Sequence, residues 1–248
     1  MTDHEAAEWA DSFWTRAGRR ERFPRSLETP IARALPVAIV KLPRLATFEV
    51  RQWLSRNGIR AQLLGPDRQL RGCLLAKSGR GLIILDGSDP EDERRITVAH
   101  ELAHFLLDYY FPRRRVLDVL GDAGLEILNG ARLPTEKERL TGALRGLAIG
   151  IYIDLMDRTA EGSVTRLEVL EAEDRADRLA LELLAPKAAL LRRFRLAKMQ
   201  LNPHIAVDTV TEILVGEFGL PRPSARDYAT FLAMGERSKR TFAEWLGV

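Results

Sequence analysis

His100-Glu101-Leu102-Ala103-His104 is the stretch of the chain best suited to chemistry. On a helix, side chains four positions apart lie nearly above one another, about 6 Å apart along the axis. Two imidazoles at that spacing can converge on one Zn2+, and the glutamate beside the first is turned about 100° away. Glu101 can therefore reach water on the ion without ligating it. Zinc lowers the pKa of such water towards about 7, and a carboxylate can then take its proton and pass it to a leaving amine. The chemistry on offer is peptide-bond hydrolysis. Val98, Ala99, Phe105 and Leu106 place the motif in or near a core, where two histidines and a glutamate are costly unless hydrogen-bonded or metal-bound.

A catalytic zinc takes three protein ligands and keeps a position for water. The metzincin spacing would put glycine at position 107 and histidine at 110, but Leu107 and Tyr110 stand there. His4 is terminal, and His204 follows Leu201-Asn202-Pro203, which reads as a loop. The third ligand is therefore expected to be a carboxylate on another helix. Glu173 is the candidate, with Asp177 one turn further on beside Ala176, Ala180, Leu183 and Leu184. Asp177 is the expected partner for the outer ring nitrogen of a histidine. The opposing reading is an exposed acidic helix face, which suits Glu171 and Asp174.

Several elements must position these groups. Ser88-Asp89-Pro90-Glu91 reads as a capped helix start, opening a helix expected to run to about Phe111 and stop at Pro112. Before it, Gly72–Lys77 and Gly81–Asp86 are apolar runs joined by Ser78-Gly79-Arg80, a β-hairpin pattern. Ile59–Leu64 reads as a first strand, after a helix over Ala46–Asn57 with Phe48, Val50, Trp53 and Leu54 on one face and Gly58 beyond its end. A short helix is expected around residues 4–17, and Ile31–Leu42 is apolar but cut by Pro36. Residues 113–133 read as irregular. Thr135 and Glu138 then open a helix carrying Leu140, Leu144, Leu147, Ile151, Leu155 and Met156, and Thr165 with Glu168 opens the helix of Glu173. Two or three helical segments follow. The expected fold is α+β: a small three-stranded sheet packed on a zincin-like helical body, with a C-terminal helix-turn-helix-like segment.

Composition narrows the class. The chain has 248 residues, 46% hydrophobic and 29% charged, as soluble globular proteins do. That excludes a disordered tail or a disulfide scaffold, and a core of this size needs no metal merely to hold it together. The single Cys73, in an apolar run, excludes an internal disulfide and reads as structural. An acidic N-terminal stretch without an apolar core following it, and no apolar run of about 18 residues, lead us to expect a cytoplasmic protein with no membrane partner. Net charge is +4 over residues 1–60, −5 over 61–185 and +4 over 186–248, so the middle suits a cation or a basic partner.

Two blocks of sequence resemble the ImmA/IrrE metallopeptidase family. One is Gly81–Asp86 followed by Arg94–Leu107. The other is Glu173-x-x-Ala176-Asp177-x-Leu179-Ala180-x-x-Leu183-Leu184-Ala185-Pro186. The resemblance covers about residues 45–110 and 168–190. It implies a gluzincin-like domain over residues 46–190, zinc on His100, His104 and Glu173, and Glu101 as catalytic base. Residues 1–45 would then be an N-terminal extension, 112–165 an insertion and 191–248 a C-terminal helical segment. It also implies a protein substrate of the helix-turn-helix repressor type, cleaved in a stress or mobile-element response. Leu179 and Ala185 depart from the phenylalanine and methionine usual in the second block.

If Gly81–Asp86 is an edge strand, an extended substrate could pair with Ile83 and Ile84 and present its carbonyl to the ion. Tyr109, Tyr110 and Tyr228 are possible oxyanion donors that the sequence does not decide between. Residues 210–233 resemble a helix-turn-helix, with Arg222 and Arg226, and Lys239-Arg240 beyond it. Helical pairs with a glycine turn are also common packing units, and docking or packing is preferred here over DNA contact. The leading reading is a zinc metalloendopeptidase acting on a regulatory protein. The alternative is a non-proteolytic regulator or a sequestering, toxin–antitoxin-type partner on the same fold.

Overall fold

The computed structural model describes residues 1–18, 22–61, 63, 65–141, 144, 147, 149–158, 167–196 and 203–238. Helix α1 (Asp3–Arg16) opens on a reciprocal cap: the Thr2 hydroxyl accepts the Glu5 N–H, and the Glu5 carboxylate accepts the Thr2 N–H. It buries Ala6, Ala10, Phe13 and Trp14. Next come α2 (Glu28–Ala34), β1 (Val37–Leu42), α3 (Thr47–Arg56), β2 (Leu70–Lys77), β3 (Arg80–Asp86) and α4 (Glu91–His104). A π-helical turn (Phe105–Tyr110) leads straight into α5 (Phe111–Leu120), followed by α6 (Asp122–Leu128), α7 (Glu136–Leu140) and β4 (Ile151–Asp157). Last are α8 (Leu167–Leu184), α9 (Lys187–Leu196), α10 (Pro203–Gly216) and α11 (Arg222–Ser238).

The sheet has four strands in the order β1-β3-β2-β4. β1 runs parallel to β3, while β2 is antiparallel to both β3 and β4. The two-residue hairpin between β2 and β3 has positive φ at Ser78 and Gly79, the twist-compatible form of a tight turn. Successive side chains alternate between two cores. Leu74, Ala76, Ile83 and Leu85 face α4 and α8, whereas Cys73, Leu75 and Ile84 face Val50 and Leu54 of α3. Cover on both faces explains why β2 and β3 read as almost continuous apolar runs.

Several expectations change; residues 113–133, read as irregular, carry most of α5 and all of α6. The described part of 59–64 is not a strand; the missing strand is β1, which starts just after Pro36 breaks the apolar run. The helix expected through 140–156 stops at Leu140, and residues 151–157 form β4 instead. Gly142, Gly146 and Gly150 punctuate the helical pattern, and Ile151, Ile153 and Leu155 alternate with Tyr152, Asp154 and Met156 as a strand requires. β3 is central rather than an edge. Its backbone pairs with β1 on one side and β2 on the other, and Ile83 and Ile84 are fully buried, so no substrate strand can add there. Finally, Pro112 does not stop the helix, because the wide π turn precedes it. In an α-helix its ring would press on the carbonyl four residues back, and the longer π repeat relieves that clash.

Smaller differences have local causes. The Ser88 hydroxyl accepts the Arg44 N–H instead of capping α4, whose cap at Pro90 has no side-chain bond. Phe48, expected on the buried face of α3, is half exposed. The Thr135–Glu138 cap forms, but the Thr165–Glu168 cap lies outside the described residues, as does Lys239-Arg240. The expected buried state of Cys73 is found, and burial pushes its thiol pKa up.

Helices α4 and α8 pack closely through Ala99, Ala103, Ala176 and Ala180, all essentially inaccessible. Small residues let the two backbones approach, bringing His100 and Glu173 within reach of each other. α10 and α11 bury Leu214, Phe218, Leu220, Ala225 and Ala229 in the same core. Their turn docks on α4, where Arg95 donates to the Gly219 carbonyl at 2.6 Å. Arg222 is paired with Glu212 through two hydrogen bonds. No helix among the described residues is long and apolar enough to cross a membrane.

Candidate metal centre

α4 is stabilised by acidic residues Glu91, Asp92 and Glu93 at the positive end of its dipole and presents His100, Glu101 and His104 to the interior, all three buried. The imidazoles turn their Nε2 atoms towards each other at 3.0 Å. Glu173 of α8 closes the triangle, its oxygens 3.3 Å from His100 Nε2 and 3.5 Å from His104 Nε2. Each outer nitrogen has its own carboxylate: His100 Nδ1 is 2.8 Å from Asp177, and His104 Nδ1 is 2.8 Å from Asp108. Arg175 in turn holds the other oxygen of Asp108 at 3.2 Å.

These contacts fix the tautomers. With each Nδ1–H donating to a carboxylate, both Nε2 lone pairs point at one spot beside a third anionic donor. Lone pairs in that arrangement repel unless a cation or protons sit among them. Ligands on a tetrahedral ion at bond lengths of about 2.0–2.1 Å are separated by about 3.4 Å. The three spacings bracket that value, so the residues fit such an ion. Two imidazoles and one carboxylate are a donor set of the type found in catalytic zinc sites.

Protonation follows the same geometry. Burial works against a charged His100, but hydrogen bonds to Asp177 and Glu173 outweigh it and the pKa stands at about 9. Burial likewise opposes charge on His104, and Asp108 and Glu173 raise it to about 11. Hydrogen bonds from both histidines hold Glu173 far below the usual carboxylate range. Glu101 behaves oppositely. Burial, reinforced by the charge of Asp154, pushes its pKa up to about 8, and neither carboxylate oxygen has a hydrogen-bond partner among the described residues. An orphaned buried carboxylate beside two histidines is costly to hold, and such groups cluster at catalytic sites.

Three contributors were not singled out from sequence. Gly72 of β2 makes room for Glu101, since a Cβ there would lie 2.5 Å from Glu101 Oε1 and 2.7 Å from the Thr97 methyl. Asp108 sits four residues after His104, a spacing open to view. Asp154 of β4 approaches His104 Nε2 at 3.9 Å, and His100, His104, Asp154 and Glu173 together form a group that could hold a metal ion. Other candidates face elsewhere. The Tyr109 hydroxyl accepts the Gly79 N–H, the Tyr110 hydroxyl accepts from Arg16, and Tyr228 lies in the core beside α1 and α8. The His204 side chain lies outside the described residues.

Comparison with known proteins meets this geometry at its centre. Residues 60–123 match the IrrE N-terminal-like domain. That family model is a peptidase model, and the match bears out the ImmA/IrrE resemblance. Within the IrrE-like stretch lie β2, β3, α4 and the π turn, hence Gly72, His100, Glu101, His104 and Asp108. Asp154, Glu173 and Asp177 lie beyond it. No curated protein matches the chain.

Proposed function

We propose that the protein is a zinc-dependent endopeptidase that cleaves a regulatory protein in the cytoplasm. The observation carrying this reading is the convergence of His100 Nε2, His104 Nε2 and Glu173 at ligand spacing beside the unpaired, buried Glu101. The match to a peptidase family supports it. His100, His104 and Glu173 would hold the ion. When bound, it would polarise the scissile carbonyl and make water a nucleophile near neutral pH. Glu101 would serve as the base that accepts a proton from the attacking water and as the acid that returns it to the leaving amine. A carboxylate whose pKa burial has raised towards neutrality suits both transfers. Asp177 and Asp108 keep the imidazoles in the ligating tautomer, and Gly72 leaves the space that the Glu101 carboxylate occupies. A helix-turn-helix repressor is the substrate class that the family resemblance favours.

A second reading draws on Asp154. A further carboxylate crowding the centre suits a protein that keeps the fold but works by binding or sequestering a partner. The two readings are separated by zinc per chain and by cleavage of a repressor-type protein. About one zinc in the wild type, sharply less in Glu173→Ala, and cleavage abolished in a zinc-loaded Glu101→Gln support the peptidase. A folded wild type without zinc overturns it.

A further inference from the structure

We infer that Asp154 is a fourth protein ligand of the metal ion, delivered by the edge strand β4, and that the resting centre is closed. The inference rests on the metal-site reading above and extends it to a residue outside the matched stretch. Three observations carry it.

The first is direction. β4 pairs with β2 so that Leu74 faces Asp154, Gly72 faces Met156 and Ala76 faces Tyr152. Paired side chains in a sheet lie on the same face. Leu74 and Ala76 belong to the core against α4, and the space above Gly72 is filled by Glu101. Asp154 must therefore project towards α4, while Ile153 and Leu155 pack on the opposite core with α3. A one-residue slip of β4 would reverse this, and the strand is pinned against slipping. Arg68 pairs with Asp157 at its end, and Arg158, just beyond, bonds both Asp86 and Asp89.

The second is distance. Asp154 offers a ligand atom within 4.8 Å of one from each of His100, His104 and Glu173, and its Oδ2 is 3.9 Å from His104 Nε2. That 3.9 Å is wider than the other three spacings, so Asp154 would have to move in to ligate.

The third is charge. Asp154 is largely buried, its side chain 23% exposed, and Glu173 approaches the same spot. Glu173 keeps 42% of its side chain exposed, but two carboxylates converging on one spot repel each other, and the buried Asp154 is costly as a charge without a cation beside it. One divalent cation answers both, giving a neutral set of two imidazoles and two carboxylates. Four protein donors make a closed tetrahedral centre, whereas hydrolysis needs a position for water. Asp154 would thus have to leave the ion before cleavage.

Cobalt(II) and zinc(II) alone serve as probes, on the full chain. In wild type, Asp154→Asn and Asp154→Ala, zinc affinity is measured by competition with a chromophoric chelator. The cobalt visible spectrum is recorded with and without azide. The expected result is at least a tenfold loss of zinc affinity in both variants. The cobalt spectrum should be insensitive to azide in the wild type and sensitive in Asp154→Ala. Asp154→Asn keeps the shape of the side chain, and a circular dichroism spectrum matching the wild type separates ligand loss from misfolding. Unchanged affinity in both variants, or equal azide response in wild type and Asp154→Ala, overturns the inference and leaves the three-ligand site standing. Absence of metal from the folded wild type overturns both.

Discussion

Glu101 gives the most quantitative test of the site, because its chemistry and its cost have the same origin. Its carboxylate is fully buried and unpaired among the described residues, and its pKa stands at about 8 against an ordinary 4.5. A carboxyl group whose pKa is higher in the folded state contributes stability that is complete below its unfolded value. That stability is lost as pH rises through the folded one. Each pKa unit corresponds to about 1.4 kcal/mol, so the metal-free wild type should lose about 3 kcal/mol between pH 5 and pH 8 through this group alone. Glu101→Gln keeps the shape and does not titrate. Its stability relative to wild type should therefore climb by about 3 kcal/mol over that window, whatever offset the buried amide introduces. Urea unfolding in the presence of a chelator, followed by circular dichroism at several pH values, measures the difference. The histidine contributions are common to both proteins and largely cancel. A difference that stays flat across the window would refute the reasoning, since Glu101 would then be paired or solvated.

Metal binding should release protons at pH 7, because the metal-free imidazoles are protonated well above neutrality and must shed those protons to ligate. Calorimetry in buffers of different ionisation enthalpy should register at least one proton per zinc, and none would contradict the assigned hydrogen bonds. Gly72→Ala should cut peptidase activity at least tenfold while zinc content stays near the wild-type value, since its Cβ would collide with Glu101 rather than with a ligand. Asp177→Asn and Asp108→Asn should each weaken zinc binding by about 10–100-fold, as loss of a histidine's outer carboxylate does. Chelator competition reads this out, and unaltered affinity would show those carboxylates to be bystanders.

What was legible in the sequence was local. His100, Glu101 and His104 declare themselves by helical spacing, and Glu173 with Asp177 by the same spacing on a second helix beside small residues. What was not legible depends on pairing between distant segments. β1 is placed by its parallel register with β3, which no neighbouring residue encodes. Asp154 reaches the site only because β4 adds to β2, about eighty residues earlier in the chain. Its strand was obscured by Leu144, Leu147, Ile151 and Leu155, which fit a helical repeat as well as alternation allows. Two signals were present and outweighed: the three glycines before Ile151, and the unbroken apolar run of β3, which marks a strand covered on both faces.

The π turn after His104 has a mechanical meaning. Residues 91–120 form one continuous rod whose backbone bonds follow the ordinary pitch except over Phe105–Tyr110. A π turn holds one residue more than the α turn it replaces, and one residue of helix is about 100° of rotation. The rod is therefore two shafts whose faces are offset in phase by the π turn between them. The first carries His100, Glu101 and His104. The second, α5, carries the buried Val116 and the Arg113 that bonds Asn129 at the end of α6. Asp108 lies inside the π turn, so the extra residue there sets the phase at which its carboxylate meets His104 Nδ1.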